Sequence, residues 1–221
     1  AGIATVNKGR LERRRAVGKL VNLSDLLVHD PLAGTSGIGH TRWATHGAPS
    51  VTNAHPHQSG PVAVVHNGII ENFRELREEL ALKGRTFVTQ TDTETVALLA
   101  HQYMIEGASA RDAAEKTIAR LHGAFALAFL FDGESDLMIA ARKGSPLLIG
   151  IGNGYGVYRF VKGDLNHQPG VKAVRGVDFA GGTMVQLKFQ QKTTNSDIRQ
   201  ALDSVQHHQT ADERGELGVA G

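Results

Sequence analysis

A chain of 221 residues, 41% hydrophobic and 21% charged, can bury one sizeable core, or a core with an appendage, and has the composition of an ordinary globular protein. The formal charge of +2 gives no case for a nucleic-acid or membrane partner, and no apolar run approaches membrane-spanning length. The absence of cysteine excludes disulfides and thiolate metal sites and suits a reducing compartment; with no signal-peptide pattern, the expected location is cytoplasmic.

Ala1–Val6 reads as a strand, Asn7-Lys8-Gly9 as a turn, and the chain resumes from Arg10 as the second arm of a hairpin. The cluster Arg10, Arg13, Arg14, Arg15 reads as a solvated hairpin flank. Ser24 ahead of Leu26, Leu27 and Val28 predicts a short helix that stops before Pro31. Gly37–Trp43 and Val62–His66 read as buried strands that each run into polar residues, which puts chemistry at strand ends. Glu71–Lys83 is predicted helical: Phe73, Leu76 and Leu80 share a face, acids crowd the start, and Gly84 stands past the end. Thr91-Asp92-Thr93-Glu94 opens a second helix through Gln102 or beyond, and Ser109 caps a third that runs to about Leu121. Ala124–Phe131 is almost wholly apolar, Asp132-Gly133 turns it into Leu137–Ala141, and Pro146–Ile151 is another strand. The pattern then weakens: Val157–Gly182 holds strand fragments, Thr183–Phe189 is a last strand, and a helix is possible near Ile198–Val205. Strands with helices between hairpins give an α+β layered domain over 1–189, followed by a polar linker or tail over 190–221.

The densest chemistry lies in Gly39-His40-Thr41-Arg42-Trp43-Ala44-Thr45-His46-Gly47, then Asn53-Ala54-His55-Pro56-His57, then His66-Asn67-Gly68. No acid occurs between Asp30 and Glu71, so the stretch is electropositive around Arg42 and suits a carboxylate-bearing small molecule. An Arg and an Asp offer opposite charges to a zwitterion, Asn67 offers two donors without a titratable charge, and a glycine lets backbone approach a ligand. His40, His46, His55, His57 and His66 could suggest zinc, but a third ligand of carboxylate or thiolate type is not evident, and no metal or other cofactor is expected. Thr91 and Asp92 could serve only to cap the helix behind them. Asn67-Gly68 alone would read as a hairpin turn, which the buried strand before it and the helix after it argue against.

Arg-Trp-Ala-Thr-His-Gly, Asn-Ala-His-Pro-His, His-Asn-Gly-Ile-Ile-Glu-Asn and Thr-Asp-Thr-Glu, in this order, resemble the glutaminase domain of the glucosamine-6-phosphate synthases, class II glutamine amidotransferases; the resemblance covers roughly Ala1 to Ile151. It implies a four-layer αββα sandwich of the N-terminal-nucleophile hydrolase type. In that family the thiolate of an N-terminal cysteine attacks the glutamine side-chain amide, with its own α-amine as base, and ammonia passes to a sugar-phosphate isomerase domain. By resemblance Asn67 and the N–H of Gly68 form the oxyanion hole, Arg42 holds the glutamine α-carboxylate and Asp92 its α-ammonium. Trp43, Thr45 and His46 line the pocket, with Trp43 in the loop that closes over glutamine, and His55 and His66 brace the site from within. The parent enzyme is implied to be a homodimer.

The sequence departs from that pattern at both ends. It starts at what resembles the family's second strand, so the first strand, first helix and catalytic cysteine are expected to be missing, a sheet edge to be exposed, and the chain to be unable to hydrolyse glutamine. Aligning Ala1-Gly2-Ile3 with the family's Cys-Gly-Ile start is the alternative, though Ala4–Leu20 continues the later segment without a break. No stretch long enough for the isomerase domain follows. A glutamine- or glutamate-binding module without catalysis, and a metal hydrolase built on the histidines, are the competing readings.

Overall fold

The computed structural model describes residues 1–34, 36–41 and 50–147, and the backbone of 173–179 and 182–188. Strand β1 (Gly2–Asn7) and strand β2 (Arg10–Arg15) form the expected hairpin. Asn7 pairs with Arg10, leaving Lys8-Gly9 as a two-residue turn with both φ angles positive (49° and 78°), as a tight hairpin turn of this hand requires. Helix α1 (Leu20–His29) begins four residues ahead of Ser24 because the buried stripe Leu20, Leu23, Leu27 sets its extent. Strand β3 (Ser36–His40) pairs with β1, giving a three-stranded sheet in the order β2-β1-β3.

The second sheet holds β4 (His57–Ser59), β5 (Val62–Ile70), β6 (Gly123–Phe131), β7 (Leu137–Lys143), β8 (Ala173–Phe179) and β9 (Gly182–Lys188), ordered β4-β5-β6-β7-β9-β8 with antiparallel neighbours. Between β5 and β6 lie α2 (Phe73–Leu82), α3 (Asp92–Ile105) and α4 (Ala110–Ala119). Thr91 caps α3 by accepting from Glu94 N–H, and Ser109 caps α4 by accepting from Asp112 N–H. Of the expected Pro146–Ile151 strand, residues 148–151 lie outside the described residues; so do the expected helix at 198–205 and all of 190–221.

Alternation along the strands sorts side chains into layers. Ile3 packs under α1 with Leu20, Leu23, Leu27 and Leu32, whereas Ala4 and Val6 face the other sheet and meet Ile38, Ala63 and Leu130. Val62, Val64, Phe125, Phe129 and Phe131 turn the opposite way, beneath α2, α3 and α4 with Leu76, Leu80, Leu99 and Ile118. The architecture is therefore helix, sheet, sheet, helices, and because β5 and β6 are covered on both faces their sequences are nearly unbroken apolar runs.

Two of the four clustered arginines do not behave as a solvated flank, whereas Arg10 is exposed as expected. Arg13 Nη1 donates to Pro56 O at 2.9 Å, and Arg15 Nη1 to Thr52 O and Ala54 O at 2.9 and 2.8 Å. These carbonyls need donors, and two guanidinium groups on β2 supply them, so residues 52–56 are tied to the hairpin. Burial, with Arg15 nearby, lowers Arg13 to about 10.

Candidate functional site

The polar residues gather at one end of β5. The strand does not stop at His66: it continues through Asn67 and Gly68, which pair with Ala126 and Phe125 of β6, and ends at Ile70. This settles the hairpin-turn question against a turn. Gly68 has φ +118°, and a Cβ there would run into the carbonyl oxygen of Ala124, so no other residue fits without backbone movement. Asn67 is exposed, and its Oδ1 lies 2.7 Å from His40 Nε2 at the end of β3. An amide oxygen only accepts, so His40 donates, and the two Nδ2 hydrogens of Asn67 are turned away from the histidine.

Asp92 occupies the first position of α3 and is 7% exposed. Its Oδ2 accepts from Ile70 N–H at 2.9 Å, and its Oδ1 sits 3.7 Å from His66 Nδ1. The capping role belongs to Thr91, which leaves Asp92 turned towards β5. Asn67, Gly68 and Asp92 are thus brought to one end of the strand, joined through Ile70.

Behind them runs a buried net of histidine and threonine. His55 Nε2 and His66 Nδ1 lie 2.9 and 3.1 Å from Thr93 Oγ1, and His57 Nε2 lies 3.0 Å from Thr91 Oγ1. Thr93 has a single hydroxyl proton, so at least one of its two histidines must offer an N–H. The ring of His55 packs against those of His40 and His57, with centroids 4.3 and 4.8 Å apart. Among the described residues the buried His66 Nε2 has no hydrogen-bond partner. Among the described residues no group of three or more His, Asp or Glu is arranged to hold a metal ion.

Arg42, Trp43, Thr45 and His46 lie outside the described residues. Thr93 is a site neighbour to which the sequence assigns no role of its own, Thr91 one it marks only as a helix cap, and His40 one it marks only among the histidines of the polar stretch.

A family model for the glutamine amidotransferase domain matches residues 40–158. A second, short model, for the SecD/SecF GG motif, matches residues 175–193, across β9 and most of β8. The glutamine–fructose-6-phosphate aminotransferase (isomerizing) of Gluconobacter oxydans (strain 621H) is 59% identical over 155 residues, 70% of this chain and 26% of the relative. The protein of the same name from Bradyrhizobium diazoefficiens is 60% identical over 154 residues, 70% of this chain and 25% of the relative. The chain therefore spans about a quarter of the length of these relatives. Among solved structures, the glutamine phosphoribosylpyrophosphate amidotransferase of B. subtilis aligns with a TM-score of 0.54 at 21% identity over 87% of this chain and 38% of that one. A structure described as the allosteric regulatory enzyme of purine biosynthesis aligns with a TM-score of 0.55, also at 21% identity. At that identity the likeness is one of fold.

Proposed function

The chain belongs to the glutamine amidotransferase domain family, and on that footing we propose that its polar pocket binds L-glutamine and belongs to an enzyme that uses the released ammonia to convert fructose 6-phosphate to glucosamine 6-phosphate. The fold is the αββα sandwich of the N-terminal-nucleophile amidotransferases. The observation that carries the proposal is the convergence of Asn67, Gly68 and Asp92 on one strand end.

In this reading Arg42 takes the α-carboxylate of glutamine and Asp92 its α-ammonium, while Trp43, Thr45 and His46 line the pocket. A thiolate attacks the side-chain carbonyl carbon, the carbonyl electrons move onto oxygen, and Asn67 Nδ2 with Gly68 N–H receive that oxyanion. The proton that the α-amine of the N-terminal cysteine took from the thiol passes to the leaving nitrogen, so collapse expels ammonia and leaves a thioester, which water hydrolyses to glutamate. Donors of this kind typically contribute a few kcal/mol to the transition state. His55 and His66 brace Thr93, and through it the start of α3, so the position of Asp92 is set before substrate arrives. We assign residues 1–189 to this domain because β9 pairs along β7.

The 221 residues hold no cysteine, so a polypeptide of these residues alone should bind glutamine without hydrolysing it. A glutamine-binding module without catalysis is the second reading. Calorimetric titration with L-glutamine, run beside an ammonia-release assay, tests both. Saturable binding with no ammonia supports the pocket. Absence of binding, with the fold intact by circular dichroism, overturns it.

A further inference from the structure

A cavity of about 330 Å3 opens between β4, the residues that follow α2, and the first half of α3. Its wall includes Ser59, Arg85, Glu94 and Leu98. The volume is within the range of small-molecule sites.

Arg85 is the unusual member. Among the described residues it enters no ion pair with an acid, and its buried Nε has no partner. Its Nη2 lies 2.5 Å from His101 Nδ1 and 3.3 Å from Ser59 Oγ, while Ser59 Oγ is itself 2.8 Å from the same His101 nitrogen. A neutral imidazole nitrogen has one lone pair, yet the Arg85 guanidinium and the Ser59 hydroxyl both point at it. One of the two donors is surplus. Burial and the Arg85 charge both push His101 below its ordinary value. The acid on the same wall is engaged elsewhere: Glu94 Oε1 accepts from Val88 N–H, and Oε2 from Arg77, Thr89 N–H and the Thr89 hydroxyl. The cavity therefore presents the Arg85 guanidinium and the Ser59 hydroxyl with one donor hydrogen between them to spare, and the acid described on its wall is already engaged.

We propose that this cavity is a binding site for a small oxyanion, a phosphate or carboxylate group gripped by Arg85 and Ser59. A planar guanidinium suits either group because it can give two parallel N–H bonds. Release of one donor from His101 to the ligand also relieves the crowding at Nδ1. Its described lining includes none of Asn67, Gly68 and Asp92, and the proposal does not rest on the glutamine reading.

The test is titration of the full 221-residue chain with inorganic phosphate and, separately, acetate, followed by amide NMR at constant ionic strength set with chloride. The expected result is saturable shifts at residues 58–59 and 84–86. Saturation by phosphate alone assigns a phosphate site, and saturation by acetate assigns a carboxylate site. Arg85→Gln should weaken binding at least tenfold, whereas Arg74→Gln, a change at an exposed arginine of α2, should leave it unchanged. If Arg85→Gln fails to fold, Arg85→Lys keeps the charge but loses the fork and should still weaken binding several-fold. Shifts that never saturate, or a folded Arg85 variant that binds as well as the parent, would overturn the proposal.

Discussion

The Asp92 carboxylate accepts the backbone N–H of Ile70 at 2.9 Å, tying the first residue of α3 to the last residue of β5. Ile70 is three positions beyond Asn67, so the group proposed to hold the substrate ammonium and the group proposed to hold the oxyanion share one rigid link. Asp92→Asn keeps an oxygen for Ile70 but removes the charge. Its melting temperature should stay close to the parent's while glutamine affinity falls at least tenfold by calorimetry. Asp92→Ala also leaves the buried N–H unpaired and should lose about 1–3 kcal/mol of stability in urea unfolding.

Gly68→Ala places a methyl group against the Ala124 carbonyl in a backbone region that only glycine tolerates well. We expect a loss of about 2 kcal/mol or more, read as a lower urea midpoint with unchanged slope.

His40→Ala removes the donor that fixes the Asn67 amide. Because Asn67 is exposed, the fold should survive, but its side-chain order parameter should drop below about 0.6, the range of flexible groups. An unchanged value in 15N relaxation would show that His40 does not hold Asn67.

Glu94 accepts two backbone N–H groups, one hydroxyl and an arginine, all with its side chain largely buried. Glu94→Ala leaves these donors without an acceptor and should cost about 3 kcal/mol, as breaking a buried charged pair does. Hydrogen exchange at Val88 and Thr89 should accelerate more than at core strands.

The Arg120 hydrogen bond, helped by the Arg120 and Lys83 charges, holds the Glu79 carboxyl below its ordinary value. A folded-state pKa beneath the unfolded one gives stability that is present above the unfolded carboxylate value, about 4.3, and is lost as pH falls through the folded value. With both side chains over a third exposed, solvent screening limits the effect to about 0.5 kcal/mol. Glu79→Gln should therefore melt slightly below the parent at pH 7, and the gap should close below about pH 4.

The helices and the apolar strands were legible in the sequence because their signals are local. Thr91 and Ser109 cap as their types predict, and Val62–His66 and Ala124–Phe131 announce a sheet covered on both sides. Two boundaries were missed for tertiary reasons. Strand β5 runs past His66 because β6 pairs with Asn67 and Gly68, and α1 starts at Leu20 because Leu20 and Leu23 are needed beneath it. The arginines of β2 looked solvated because their acceptors, carbonyls at 52–56, lie about forty residues away. Asp92, Asn67 and Gly68 are singled out by motif resemblance. Their geometry was not legible, since His40, Thr93 and Ile70 are neighbours only in three dimensions.

Thr91, Asp92, Thr93 and Glu94 make up the cap and first turn of α3, and each grips a different part of the molecule: His57, Ile70, the pair His55 and His66, and the segment 88–89. Successive residues of a helix point about 100° apart, so one turn spreads four grips around a full circle. A single-residue insertion inside this turn would rotate every later grip by that angle and release most of them together. Point substitutions here lose one anchor at a time, whereas a length change disengages the helix as a unit. The length of this turn is therefore under tighter physical constraint than the identity of any one residue in it.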